Sequence, residues 1–226
     1  MNQKNFVKEI KNPKTYGKNI DKVKLIQTHI SFVVLTGDYA YKIKKPVDFG
    51  FLDFSTLEKR KYFCEQEIKL NKRLCPEIYE KVVPISKKGD ELRINGDGEI
   101  VDYALKMKEF SQDNIMTNLL HENKINEDTI DKIVDKLVSF YKREKSTDEI
   151  KKFGEIKTIK KNTDENFDQT KNVIGKTIEQ NKYKKIKEIT NRFLEENKAI
   201  FKKRIKNDFI KDCHGDLHTG NIVVRE

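Results

Sequence analysis

Near its C-terminal end the chain reads Cys213-His214-Gly215-Asp216-Leu217-His218-Thr219-Gly220-Asn221, placing a carboxylate five positions ahead of a carboxamide. Phosphoryl-transfer loops use that spacing: the Asp meets the acceptor hydroxyl, and the Asn oxygen reaches a nucleotide-bound magnesium ion. The two glycines suit a tight, irregular backbone rather than a helix. Asp216 would then accept or orient the hydroxyl proton and Asn221 would ligate magnesium. His214 suits a loop-bracing hydrogen bond, and His218 a loop position facing solvent, a neighbouring helix or the substrate. A rival chemistry reads His214 and His218, four apart, as zinc ligands of the HExxH kind. It is disfavoured because Gly215 stands where the catalytic Glu belongs and weakens the helix that would align the two rings.

Transfer from ATP also needs a cation on the phosphates. In Ala40-Tyr41-Lys42 the Ala and Lys fall on one face of a strand, so the small residue can lie under a nucleobase while the ammonium reaches phosphate. Lys44 shares that face and is the alternative. Glu67, with Glu65 as second choice, would pair with such a lysine from a following helix and hold its ammonium in place.

The elements that must position these groups change character along the chain. KVKLIQ, SFVVLTGD and YAYKIKKP, within residues 22–46, read as strands, with Gly37-Asp38 a turn and Pro46 a stop. Ser55-Thr56-Leu57-Glu58 fits a capping box that opens a helix running to about Leu74, ahead of Cys75-Pro76. VVPIS, ELRIN and IVDYALKMKEF read as further strands. Beyond them the pattern is helical: Ile130, Ile133, Val134, Leu137, Val138 and Tyr141 form one stripe, and Tyr183, Ile186, Ile189, Phe193 and Leu194 another. Core packing is the reading for both. The expected organisation is α+β, with a strand-rich part over 1–110 and a helical part over 111–226.

Composition bounds the partners. The 226 residues carry 47 Lys and Arg against 37 Asp and Glu, a net charge of +10. Nearly all the excess is Lys interleaved with acids and Asn, without an aromatic-interleaved basic cluster, so a solvated surface is favoured over a nucleic-acid face. Cys64, Cys75 and Cys213 are odd in number and form no CxxC pair, which points to a reducing, cytoplasmic setting. No apolar run of membrane-spanning length and no signal-peptide stretch are seen, so no membrane partner is expected.

The segment THISFVVLTGDYAYKIKKPVDFGFLDFSTLEKRKYFCEQEIKLNKRL, with CHGDLHTGNI, resembles the aminoglycoside phosphotransferase-like family of small-molecule kinases. More closely, it resembles the N-terminal kinase-like domain of bacterial and archaeal aminoglycoside phosphotransferase-like proteins, some of which carry a separate P-loop domain afterwards. The likeness runs from about Lys22 to Ile222, with residues 111–205 matching only in helical character. It implies a protein-kinase-like two-lobed fold, with an antiparallel-sheet N-lobe carrying one long helix and a helical, incomplete C-lobe. The cofactors it implies are ATP and Mg2+, with a small hydroxyl-bearing acceptor. It also implies Lys42 as phosphate-binding lysine, Glu67 as its partner, Asp216 as catalytic base and Asn221 as metal ligand. It implies Met107-Lys108-Glu109-Phe110 as the hinge whose backbone groups meet adenine. Thr28-His29-Ile30-Ser31 would cover the phosphates, with Ser31 and backbone amides as donors.

The sequence departs from that family in two ways. The family's second metal ligand, an Asp on a strand after the loop, has no counterpart in Ile222-Val223-Val224-Arg225-Glu226, and Asp48-Phe49-Gly50 matches the kinase motif only by chance. Helices that complete the second lobe are not present, and neither is a P-loop GxxxxGK[ST]. The expectations are therefore a phosphotransferase with reduced activity or, alternatively, a catalytically silent nucleotide-binding or interaction protein. Apolar surface left open on the late helices would call for self-association or a partner chain.

Overall fold

The computed structural model describes residues 2–225 and is α+β, built on one six-stranded antiparallel sheet. Two compact units divide the chain: Met1–Glu127 with His218–Glu226, and Asp128–Leu217.

In the first unit a short helix, α1 (Gln3–Ile10), precedes strands β1 (Lys24–Gln27), β2 (Ser31–Leu35) and β3 (Tyr39–Lys44). Helix α2 (Leu57–Asn71) follows, then β4 (Tyr79–Lys88), β5 (Glu91–Ile94), β6 (Glu99–Lys108) and helix α3 (Met116–His121). The strand order is β1-β2-β3-β6-β4-β5, which puts β3 in the interior between β2 and β6. Alternation along β3 sends Tyr41 and Ile43 to one face of the sheet and Ala40, Lys42 and Lys44 to the other.

Each face is covered differently. On the first, Phe32, Val34, Tyr41, Ile43, Val83, Ile85, Leu92 and Ala104 pack with Ile10 of α1. This helix was not anticipated. Its signal is brief, an Asn2 cap whose side chain accepts the Asn5 N–H, followed by Phe6, Val7 and Ile10. On the second face Ala40, Ile78, Leu105 and Met107 pack with Val33, Leu35 and Ile68 of α2.

Helix α2 starts one residue later than the capping box implies. Its cap is Thr56, whose hydroxyl accepts the Lys59 N–H at 3.3 Å, while the Ser55 hydroxyl donates to Asp53 at 2.6 Å. Asp53 competes successfully for Ser55 because it also accepts the Ser55 N–H and pairs with Lys59. The helix ends at Asn71, ahead of the expected Leu74, and the turn that follows is closed by the Cys75 N–H on the Asn71 carbonyl.

The inward row of α2 is Arg60, Cys64, Glu67 and Ile68, so two of its four contacts with the sheet are charged. Arg60 is buried; its Nε donates to Asp102 of β6 at 2.8 Å, and its Nη1 donates to the carbonyls of Phe54 and Ser55. Burial pushes the Asp102 carboxyl above its ordinary range, and the Arg60 guanidinium only partly offsets this. Cys64 is fully buried, and burial pushes its thiol up to about 11, an inert setting.

The second unit comprises α4 (Glu127–Arg143), which starts at the boundary, α5 (Asp148–Lys151), α6 (Ile156–Thr170), α7 (Gln180–Glu196) and α8 (Lys198–Lys206). Helices α6 and α7 are joined by Tyr183, whose hydroxyl donates to the Phe167 carbonyl at 2.8 Å, and by Lys160, which donates to Asn191. The two apolar stripes are only partly core. Tyr183 and Leu194 are buried, but Ile186, Ile189 and Phe193 lie about a quarter turn away from them on α7 and are exposed. Ile130, Val134 and Val138 of α4 are exposed as well. Among the described residues no helix is long and apolar enough to cross a membrane.

The Arg60–Asp102 pair generates a test. Truncating either partner to Ala leaves the other charge buried and is expected to cost about 3–5 kcal/mol. Replacing both with apolar residues of similar volume should recover much of that loss in urea unfolding. Losses that simply add would show that the two side chains are not coupled.

Candidate functional site

The second face of the sheet carries the densest charge chemistry of the first unit. The Lys42 ammonium donates to Glu67 Oε1 at 2.8 Å, and the Lys44 ammonium donates to Glu67 Oε2 at 2.7 Å. The structure therefore brings Lys42 together with Glu67, the first of the two candidate helix partners. Glu65 instead lies beside Lys61, one turn back on the same helix.

The two lysines are not equivalent. The Lys42 side chain is 32% exposed, against 6% for Lys44, whose ammonium also sits over the Phe54 ring at 4.7 Å. Lys42 is thus the ammonium a ligand can reach. Burial would raise the Glu67 carboxyl, but the Lys42 and Lys44 ammoniums overcome this and hold it below its ordinary value.

Beside the charges lies an apolar floor. Ala40 is opposite Leu35 on β2 and Met107 on β6, and Lys42 is opposite Val33 and Leu105. Cross-strand partners share a face, so Ala40, Leu35 and Met107 line the strip next to Lys42. The arrangement sets a fixed cation one residue pair along the strand from an apolar strip in which Ala40 and Met107 are buried and Leu35 is half-buried.

The segment 107–110 is more committed than the resemblance implies. The Lys108 N–H is bonded to the Ile78 carbonyl and the Glu109 N–H to the Asp38 carbonyl. The Glu109 carboxylate accepts the N–H groups of Thr36 and Gly37, both at 2.9 Å, and so caps the β2–β3 turn. Carbonyls and the backbone from Phe110 onward are what this segment still offers a base. Ser31 is also placed differently from a phosphate donor. It is fully buried in register with Lys44, its N–H is bonded to Thr28, and its hydroxyl has no partner among the described residues. Thr28 and His29 are the exposed members of that turn.

In the second unit, His214 Nδ1 accepts the Asp216 N–H at 3.3 Å across Gly215, whose φ of +80° lies in the left-handed region glycine favours. His214 thereby braces the backbone that carries the exposed Asp216 carboxylate. In the first unit, His218 Nδ1 accepts the Gly220 N–H at 3.1 Å and caps the turn Thr219–Asn221. A Cβ on Gly220 would lie 2.8 Å from the His218 ring, so a larger residue there requires that ring to shift. The Thr219 and Thr117 hydroxyls are 2.8 Å apart, and Ile222 and Val224 pair with Met116 and Asn114, fixing the exposed Asn221 to the start of α3. The two imidazoles lie on irregular backbone rather than on one helix. Among the described residues, no three His, Cys, Asp or Glu side chains converge on a metal position. The zinc-hydrolase reading finds no support in this geometry.

Over 160 residues the chain is 27% identical to uncharacterized proteins of Mycobacterium tuberculosis and Mycobacterium bovis. The match takes in 71% of this chain but 30% of each of those proteins, so the chain spans less than a third of the relatives it matches. No family model matches the chain, and no solved structure matches it.

The lowered Glu67 carboxyl has a pH signature. A carboxyl that ionises more readily in the fold than at its ordinary 4.5 contributes stability above that value and loses it as pH falls through the lower folded value. The stability difference between the wild type and Glu67→Gln in urea unfolding should therefore be largest near neutrality and shrink below pH 4.5. A difference that stays constant with pH would show that the two ammoniums do not control this carboxyl.

Proposed function

We propose that the chain is a phosphotransferase-type domain, with a protein-kinase-like two-lobed fold, that moves the γ-phosphate of ATP to a hydroxyl of a small molecule. The observation that carries this reading is the Lys42–Glu67 ion pair, an accessible ammonium held by a helix carboxylate beside an apolar strip of the sheet. Phosphoryl transfer is mostly positioning and charge stabilisation, and a fixed cation next to an apolar strip suits both. The resemblance to aminoglycoside phosphotransferase-like kinases, carried by the segments around Lys42, Glu67 and Asp216, supports the same assignment. The N-lobe of this reading is 1–110 and the C-lobe 111–226.

In this scheme adenine packs against the half-buried Leu35 at the edge of the apolar strip, and Lys42 meets the phosphates. Asp216, on a loop braced by His214, orients the acceptor hydroxyl and takes its proton as the acceptor oxygen bonds to the γ-phosphorus. The bond to the bridging oxygen breaks and ADP leaves. Magnesium would arrive with the nucleotide, where Asn221 would hold it through one amide oxygen. Its chemistry there is neutralisation of phosphate charge.

ATP turnover with magnesium over a panel of hydroxyl acceptors tests the proposal. Lys42→Met is expected to lower kcat/KM by about a hundredfold, and Asp216→Ala to abolish turnover. Turnover indifferent to both substitutions would overturn the reading. ATP binding without turnover on any acceptor would favour a silent nucleotide-binding protein.

A further inference from the structure

A kinase-type lysine needs one carboxylate partner, yet Glu67 carries two ammoniums of nearly equal reach, at 2.8 and 2.7 Å. Burying a second lysine is costly, because its charge leaves water and its long side chain loses rotamer freedom. Lys44 meets that cost in full, being 6% exposed and enclosed by the Phe54 ring and strand β2. Phe54 is itself fixed, since its carbonyl accepts from Arg60. A line of contacts thus runs from Arg60 through Phe54 and Lys44 to the second oxygen of Glu67.

We propose that Lys44 is a positioning residue for phosphate binding at Lys42, acting as the permanent counter-charge of Glu67. The proposal rests on the phosphate-binding reading of Lys42. A lone Glu67–Lys42 pair is neutral, and its carboxylate repels an arriving phosphate through the ammonium that should attract it. With Lys44 on Oε2 the trio carries a net single positive charge. That surplus appears on Lys42, because Lys42 is the exposed member. Lys44 itself is too enclosed to follow a ligand. It also fixes the plane of the Glu67 carboxylate, so that Oε1 stays aimed at Lys42.

The ligand class this favours is a polyphosphate chain, a nucleoside di- or triphosphate as opposed to a nucleoside. The discriminating comparison is among ATP, tripolyphosphate and adenosine, each titrated calorimetrically into the full chain. Lys44→Met is expected to weaken ATP and tripolyphosphate by about tenfold or more while leaving adenosine within about twofold. Lys44→Arg, which keeps the charge in a bulkier side chain, should bind polyphosphate more tightly than Lys44→Met. The decisive variant is Lys44→Met with Glu67→Gln: removing the uncompensated carboxylate charge should restore most of the lost polyphosphate affinity. Thermal unfolding of each variant checks that the fold persists.

Three results would overturn the inference. One is a double variant no better than Lys44→Met alone. Another is equal weakening of adenosine and ATP, as a purely structural lysine predicts. The third is Lys44→Arg behaving like Lys44→Met. Wild-type protein that binds ATP no better than adenosine, with Lys42→Met unchanged, would instead overturn the phosphate reading and this inference with it.

Discussion

A carboxylate enclosed as deeply as that of Glu67 stays ionised only if cations surround it, and the surrounding architecture follows from that requirement. Removing such a charge from water costs several kcal/mol, which close and well-oriented ammoniums must offset. The lysines come from β3, an interior strand, and the carboxylate from α2, so the ion cluster fixes how the helix lies on the sheet. Arg60 and Asp102 repeat the arrangement two turns earlier on the same helix. Helix α2 is therefore held to the sheet by two charge clusters with apolar contacts between them.

That way of anchoring the helix explains what could be read in the sequence. The strands were legible because alternation, Gly37-Asp38 and Pro46 bound them, and all six lie where short apolar runs predicted. The register and the interior position of β3 were not, since they depend on pairings remote in sequence. Helix α2 gives little apolar periodicity because its inward row includes Arg60 and Glu67. Its start was misplaced by one residue because Asp53 takes the Ser55 hydroxyl, leaving Thr56 as the cap. The stripes on α4 and α7 had the right period for helices, but period does not say how much of a stripe finds a partner.

For the candidate site the same division holds. Lys42 and Glu67 were named from strand alternation and family likeness, and the structure places them 2.8 Å apart. Three features depend on tertiary contacts that spacing does not encode. Lys44 was seen as an alternative to Lys42, whereas it shares the same carboxylate. The resemblance gives the Glu109 backbone to adenine, whereas its N–H is bonded to the Asp38 carbonyl and its side chain closes the β2–β3 turn. Ser31 was assigned to phosphate, whereas its strand position buries it. Each displaced assignment involves a polar group that found a partner or a burial site within the protein.

The central claim is that the Lys42 ammonium, fixed by Glu67, is where a nucleotide's phosphates sit. An acyl-phosphate derivative of ATP tests it most directly, because it transfers its acyl group to whichever lysine lies against the terminal phosphate. Peptide mass spectrometry should find Lys42 acylated ahead of the many more exposed lysines, and excess ATP should suppress that labelling selectively. Acylation spread over surface lysines in proportion to their exposure, unaffected by ATP, would contradict it.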